Sequence, residues 1–163
     1  MSEITWDDLT YSLARHLESM PDDTYFLLCV DDSGRPDHDE QLDGHPLYVQ
    51  FCAFAGDMIR CEVVGNRYLP KDRQHSVDDL IALRADGWRL PGDENINGSP
   101  NVYLDVASSE VDEAAAMVVR VFRCIWGVAD PTGVITDREY LRGPHAFELS
   151  DAPAGFAADE PAA

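Results

Sequence analysis

The sequence predicts an α+β domain, a small antiparallel β-sheet packed with helices, in the order α-β-β-β-α-β-α. Three observations carry that expectation. Segments with polar caps step through apolar residues at intervals of three and four, as a helix requires. Between them, short stretches rich in Val, Phe and Tyr alternate apolar with polar residues. The turn Ala55-Gly56-Asp57 separates two such stretches by too little chain for anything but a hairpin, which makes the sheet antiparallel. At 163 residues the chain suits one domain of residues 1–130 followed by an acidic, Pro- and Ala-containing tail, 131–163, that is partly disordered.

The first helix follows from Thr5 as N-cap, with Asp8 at the third position and Ile4 and Leu9 spaced as a hydrophobic staple. Trp6, Leu9, Leu13, Leu17 and Met20 then mark one face, and Pro21-Asp22-Asp23 ends the run. Tyr25 to Asp31 is apolar at both alternating sets of positions and reads as a central strand covered on both sides. An acidic loop from Asp31 to Pro46 leads to the strands LYVQFCAF and MIRCEVV. Ser76 caps a second helix, VDDLIALRAD, with Asp79 in its first turn, Leu80, Ile81 and Leu83 as contacts, and Gly87 as its stop. After an irregular stretch from Trp88 to Pro100, NVYLDVA is a strand with Val102, Leu104 and Val106 alternating against Tyr103 and Asp105. Ser109 is placed to cap a last helix, Glu110 to Trp126, that stops at Gly127. Phe147-Glu148-Leu149 has the makings of a short strand, and the closing AGFAADEPAA of disorder.

The register of the hairpin decides whether its cysteines form a site. A two-residue loop sets Cys52 opposite Cys61, where the pair could oxidise or hold a soft metal. A three-residue loop pairs Phe54 with Met58 instead. It gathers Val49, Phe51 and Ala53 with Ile59, Cys61 and Val63, and puts Gln50 and Cys52 with Arg60 and Glu62. The second arrangement separates apolar from polar side chains, and register follows that separation. Cys52 and Cys61 then point to opposite faces as packing residues.

Composition excludes several function classes. Thirty-one acidic against twelve basic side chains give a formal net charge of −19. Such a field repels nucleic acid and anionic membrane surfaces. The start MSEITWDDLTYS lacks the features of a signal peptide, and no apolar run spans a bilayer, so a cytoplasmic protein is expected. Four widely spaced cysteines announce neither a disulfide framework nor a zinc site. P-loop, dinucleotide, zincin and nucleophile-elbow motifs are missing. The paired acids at 7/8, 22/23 and 78/79 sit at helix starts or stops, where capping explains them. Within the loop of Asp37, His38, Asp39, Glu40, Asp43 and His45, the run Asp39-x-Gln41-x-Asp43-Gly44 imitates the opening of a calcium loop, but Gln50 stands at its twelfth position and strands flank it. A metal-dependent sensor or enzyme using Asp37–His45 is one alternative reading. An immunity-type protein that neutralises a basic toxin through its charge is another.

The last helix carries more information. Val111, Ala114, Ala115, Val118, Val121, Phe122 and Ile125 fill one stripe, and Met117, Cys124 and Trp126 widen it, with Arg120 and Arg123 on what remains. Apolar cover over so much circumference suits a helix sandwiched inside one domain or shared with a partner, and the limited cover of three helices and a small sheet favours the partner. Tyr48, Phe54, Met58, Trp88 and Tyr103 join Val118, Phe122 and Trp126 as candidates for a partner-binding surface.

Three stretches resemble a known family. Tyr48-Val49-Gln50-Phe51 with Glu62-Val63-Val64-Gly65-Asn66-Arg67-Tyr68-Leu69 is similar to the hairpin and E-V-x-x-N-x-Y-L segment of the bacterial TY-Chap and YbjN-like families. Leu83 to Trp88 followed by Pro91 resembles their L-x-x-x-G-W…P turn, and Phe122-x-x-Ile125-Trp126-Gly127-Val128 their last-helix ending. Asn66, Tyr68, Leu69, Gly87 and Trp88 are thus motif residues of an architectural kind. Gly65 departs from the pattern, which more usually has a small hydroxyl residue there, and so does the long Asp31–Pro46 loop. The resemblance, over about residues 3–131, implies the fold of type III secretion chaperones. It implies a non-enzymatic chaperone-like or adaptor module, often a homodimer, that binds a protein or peptide client, with no catalytic residues, cofactor or metal.

Overall fold

The computed structural model describes residues 3–31, 47–93, 100–136, 147 and 149–156. The acidic Asp37–His45 loop and residue Glu148 lie outside them.

Helix α1, Trp6–Ser19, begins as the sequence requires. Thr5 Oγ1 accepts the Asp8 amide at 3.0 Å, and the Asp8 carboxylate accepts the Thr5 amide at 2.9 Å. Leu9, Leu13 and Leu17 are its buried face. Helix α2, Val77–Asp86, has the same capping box from Ser76 and Asp79, and Gly87 ends it in the left-handed region at φ +113°. Leu83 anchors α2 in the core, whereas Ile81, expected as a contact, is 59 % exposed. Helix α3 covers Val111–Arg120 and passes into a π-helical turn, Val121–Ile125. Its entry is a 3₁₀ turn at Ser108–Glu110, so Ser109 is not the side-chain cap that its position suggested.

The sheet contains β1 (Tyr25–Val30), β2 (Tyr48–Phe54), β3 (Met58–Val63), β4 (Val102–Ala107) and β5 (Val134–Thr136), all antiparallel, in the order β4-β3-β2-β1-β5. Phe54 pairs with Met58 across the three-residue turn, and Cys52 lies opposite Arg60. The register that separates apolar from polar side chains is therefore the one adopted. Ala55 and Gly56 turn the chain at φ +56° and +81°.

Val49, Phe51, Ala53, Ile59, Cys61 and Val63 form the inward face with Phe26, Leu28, Val102 and Val106, and with the apolar faces of α1 and α3 they make one core. Cys61 is fully buried, and desolvation pushes its thiol pKa far up, so it behaves as an apolar filler.

Two expectations about cover are corrected. Strand β1 is covered on one side only: Phe26 and Leu28 are buried, while Leu27 and Cys29 stay half-buried and Tyr25 is 55 % exposed. The broad apolar surface of α3 is filled within its own chain, since Val118 and Phe122 are fully buried and Trp88 lies in the same core. Arg120 completes the packing with a two-pronged bond to Asp86 of α2 at 2.9 and 3.0 Å.

The sheet also runs past residue 130. A turn at Pro131–Gly133 leads into β5, which pairs with Leu28–Val30. Phe147 and Leu149, expected in a strand, are in none, and Phe147 packs against the core instead.

Candidate functional site

Among the described residues, one face of the sheet is turned away from the helices and left open. Strict alternation puts Tyr48, Gln50, Cys52 and Phe54 of β2 there, beside Met58, Arg60 and Glu62 of β3, and all of them are half-buried. Tyr25 and Ile135 extend it at 55 % and 42 % exposure. Tyr48, Phe54, Met58 and Tyr103, singled out in the sequence, are thus brought together on one face. Trp88, Val118 and Phe122 are not, because they fill the core on the other side; Trp126 is half-buried at the end of the π-helical turn.

Near its middle this face has a polar clamp. The Arg60 guanidinium donates to both carboxylate oxygens of Asp105, at 2.7 and 2.8 Å, and lies over the Tyr103 ring at 4.8 Å. Hydrogen bonding to Asp105 raises the Arg60 pKa further, fixing a positive charge over an aromatic plate. Beside it a shallow depression of about 460 Å³ is lined by Tyr25, Gln50, Cys52, Phe54, Arg60 and Glu62. Cys52 hydrogen-bonds the Tyr25 hydroxyl and pushes its pKa up, so the phenol stays neutral at physiological pH. Apolar rings, a phenol, an amide and paired charges share this surface, and among the described residues it pairs no nucleophile with a base.

The adjoining edge has a related property. Arg89 and Tyr103 exchange backbone hydrogen bonds at 2.8 and 2.9 Å, which closes the edge of β4 at that point. By the same alternation the N–H and C=O of Asp105 point outward, and no backbone group among the described residues meets them.

The Asn66 motif is architectural. Asn66 Oδ1 accepts the His75 amide at 2.7 Å and its Nδ2 donates to the His75 carbonyl at 3.1 Å, which clasps the turn after β3 to the start of α2. Leu69 packs with Leu47 and Val64 in a small second core, which Tyr68 and Trp126 border. Sequence reasoning missed the residue this clasp holds. His75 is 6 % exposed, and its Nε2 accepts the Trp126 indole N–H at 3.1 Å. Accepting that bond fixes the neutral ring, with its proton on a buried Nδ1 that has no partner among the described residues.

A pH dependence follows. Burial lowers the His75 pKa, with Asp79 partly opposing. A depressed histidine contributes stability above its unfolded pKa of about 6.5, and that contribution is lost as the pH falls. Between pH 7.5 and 5.5, urea unfolding should show stability dropping, with a limiting slope of about 1.4 kcal/mol per pH unit. His75→Gln, which keeps an acceptor for Trp126, should flatten that dependence. Equal slopes for the two proteins would show that His75 is not responsible.

No group of three or more His, Cys, Asp or Glu side chains is placed to hold a metal ion among the described residues, and none of their helices is long and apolar enough to cross a membrane. In comparison with known protein families, residues 2–139 match the one described as T3SS (YopN, CesT) and YbjN peptide-binding chaperone 3. Neither a curated protein nor a solved structure matches the chain.

Proposed function

Because the chain belongs to the TY-Chap3 family of T3SS (YopN, CesT) and YbjN peptide-binding chaperones, matched over residues 2–139, we propose that it is a non-enzymatic, cytoplasmic chaperone-like module that holds an extended polypeptide client on the uncovered sheet face. The observation that carries this reading is the row of half-buried Phe54 and Met58, exposed Tyr25 and buried Tyr103 beside the Asp105 edge. An extended segment laid there gains backbone hydrogen bonds from the edge and apolar contact from the rings. The −19 charge favours clients with basic residues next to their apolar ones. Homodimerisation belongs to the same reading. Its support is the apolar outer side of α2, where Val77 and Ile81 are 73 % and 59 % exposed next to a groove of about 320 Å³ that reaches Cys124 and Ile125.

Selection of displayed random peptides by the full chain tests the binding surface. Enrichment of apolar–basic sequences is the result this reading requires. It should be lost with Phe54→Glu plus Met58→Glu, a cross-strand pair outside the core. Retention of the same peptides by a folded double variant would place binding elsewhere. A monomeric mass in light scattering would remove the dimer.

A further inference from the structure

Residues 147 and 149–156 lie against α1, outside the family-matched residues 2–139. Its contacts span the helix. The Phe147 ring is 5.2 Å from Phe26 and 5.5 Å from His16. Ser150 gives its N–H to Ser12 Oγ at 2.9 Å, and its carbonyl accepts the Ser12 hydroxyl at 3.1 Å. The Ala152 amide donates to Asp8 Oδ1 at 2.8 Å, and Phe156 meets Tyr11 edge to face at 5.5 Å.

Two features set this apart from ordinary tail packing. First, α1 presents polar atoms that the segment satisfies through its backbone: Ser12 is 2 % exposed and both its bonds go to the main chain of Ser150, while the Ala152 amide is the largest influence holding the Asp8 carboxyl below its usual pKa. Main-chain bonds read the shape of an extended peptide and not its sequence. Second, side-chain recognition rests on two phenyl anchors nine positions apart, received by His16 with Phe26 and by Tyr11. A segment that runs extended past Ser12 and Asp8 and then turns, as residues 153–156 do through the Phe156 amide bond to the Pro153 carbonyl at 3.0 Å, to seat a second aromatic on Tyr11 meets the same requirements.

We infer that the outer side of α1 is a second peptide-acceptor surface and that residues 147–156 are its tethered occupant, displaced by a client segment carrying two aromatic anchors. The inference rests on the peptide-binding reading but uses the helical side of the sheet, so either can fail alone. Tethering gives the segment an effective concentration on the order of millimolar, and an untethered peptide has to compete with it.

The test uses the full chain carrying Phe147→Ala and Phe156→Ala, with a labelled synthetic peptide of residues 146–157 added in trans. Fluorescence anisotropy should show the variant binding this peptide at least about tenfold more tightly than the parent chain does. A peptide with both phenylalanines changed to alanine should not bind. In the parent chain, the Ser150 and Ala152 amides should exchange slowly with solvent, and the variant should lose that protection. A folded variant that ignores the peptide, equal binding by both chains, or equal binding of the alanine peptide would each overturn the inference. Should the double variant fail to fold, Phe156→Ala alone, which removes the ring contact with Tyr11, should still speed exchange at Ala152; unchanged exchange there would equally overturn it.

Discussion

Gly65→Ala should destabilise the protein by about 3 kcal/mol or more, lowering its melting temperature by roughly 10 °C. The reason is space and not dihedral freedom. Gly65 has φ −86°, which any residue adopts. A Cβ at this position, however, would sit 1.9 Å from the Pro100 carbonyl oxygen and 2.9 Å from its carbon. Both atoms are backbone, so no side chain can swing aside. The Gly65 amide is also committed to Asn101 Oδ1 at 2.9 Å, which holds the two strands of chain together. Gly56→Ala is the control. Its φ of +81° imposes strain, but nothing lies within 4 Å of the new methyl, so a loss of about 1 kcal/mol is expected. Thermal unfolding of the pair should rank them in that order. A Gly65→Ala protein as stable as the parent would show that Pro100 does not approach as described.

Phe122→Ala should remove about 3–5 kcal/mol. Phe122 is fully buried, its ring meets Trp126 edge-on at 4.9 Å, and its carbonyl accepts the Val128 amide at 2.9 Å just beyond the π-helical turn. This substitution separates two accounts of the last helix. If the apolar stripe is core, urea denaturation shows the full loss at every protein concentration. If it served a subunit interface, the variant would change association and leave the unfolding of the monomer nearly untouched.

The fold was largely legible because its strongest signals are local. Thr5/Asp8 and Ser76/Asp79 announce helix starts by a chemistry that needs four residues. Only one hairpin register separates Val49, Phe51 and Ala53 from Gln50 and Cys52. The failures share a different cause, which is that burial is decided by what lies opposite. Leu27 and Cys29 look like core residues, yet no helix among the described residues packs on their side of β1. Val121 to Ile125 continues a helical pattern, and nothing in those five residues signals the wider π turn. Strand β5 has three residues and exists because Leu28–Val30 offer it an edge. The segment 147–156 is held chiefly through main-chain atoms and two rings, so its composition reads as tail.

The candidate site was half legible for the same reason. Alternation and the hairpin register put Tyr48, Phe54 and Met58 on one face, and Tyr103 joins them through the pairing of β4 with β3. Trp88, Val118 and Phe122 were drawn into the same list by their size. In the structure all three are buried in the core. His75 gave no signal, because its role depends on Trp126, fifty-one positions away.

The most direct test of the central claim is amide and side-chain NMR of the full chain titrated with one selected apolar–basic peptide. The account predicts that perturbations concentrate on Gln50, Cys52, Phe54, Met58 and Arg60 and along the Asp105 edge. Saturable binding that leaves those residues unmoved would contradict it.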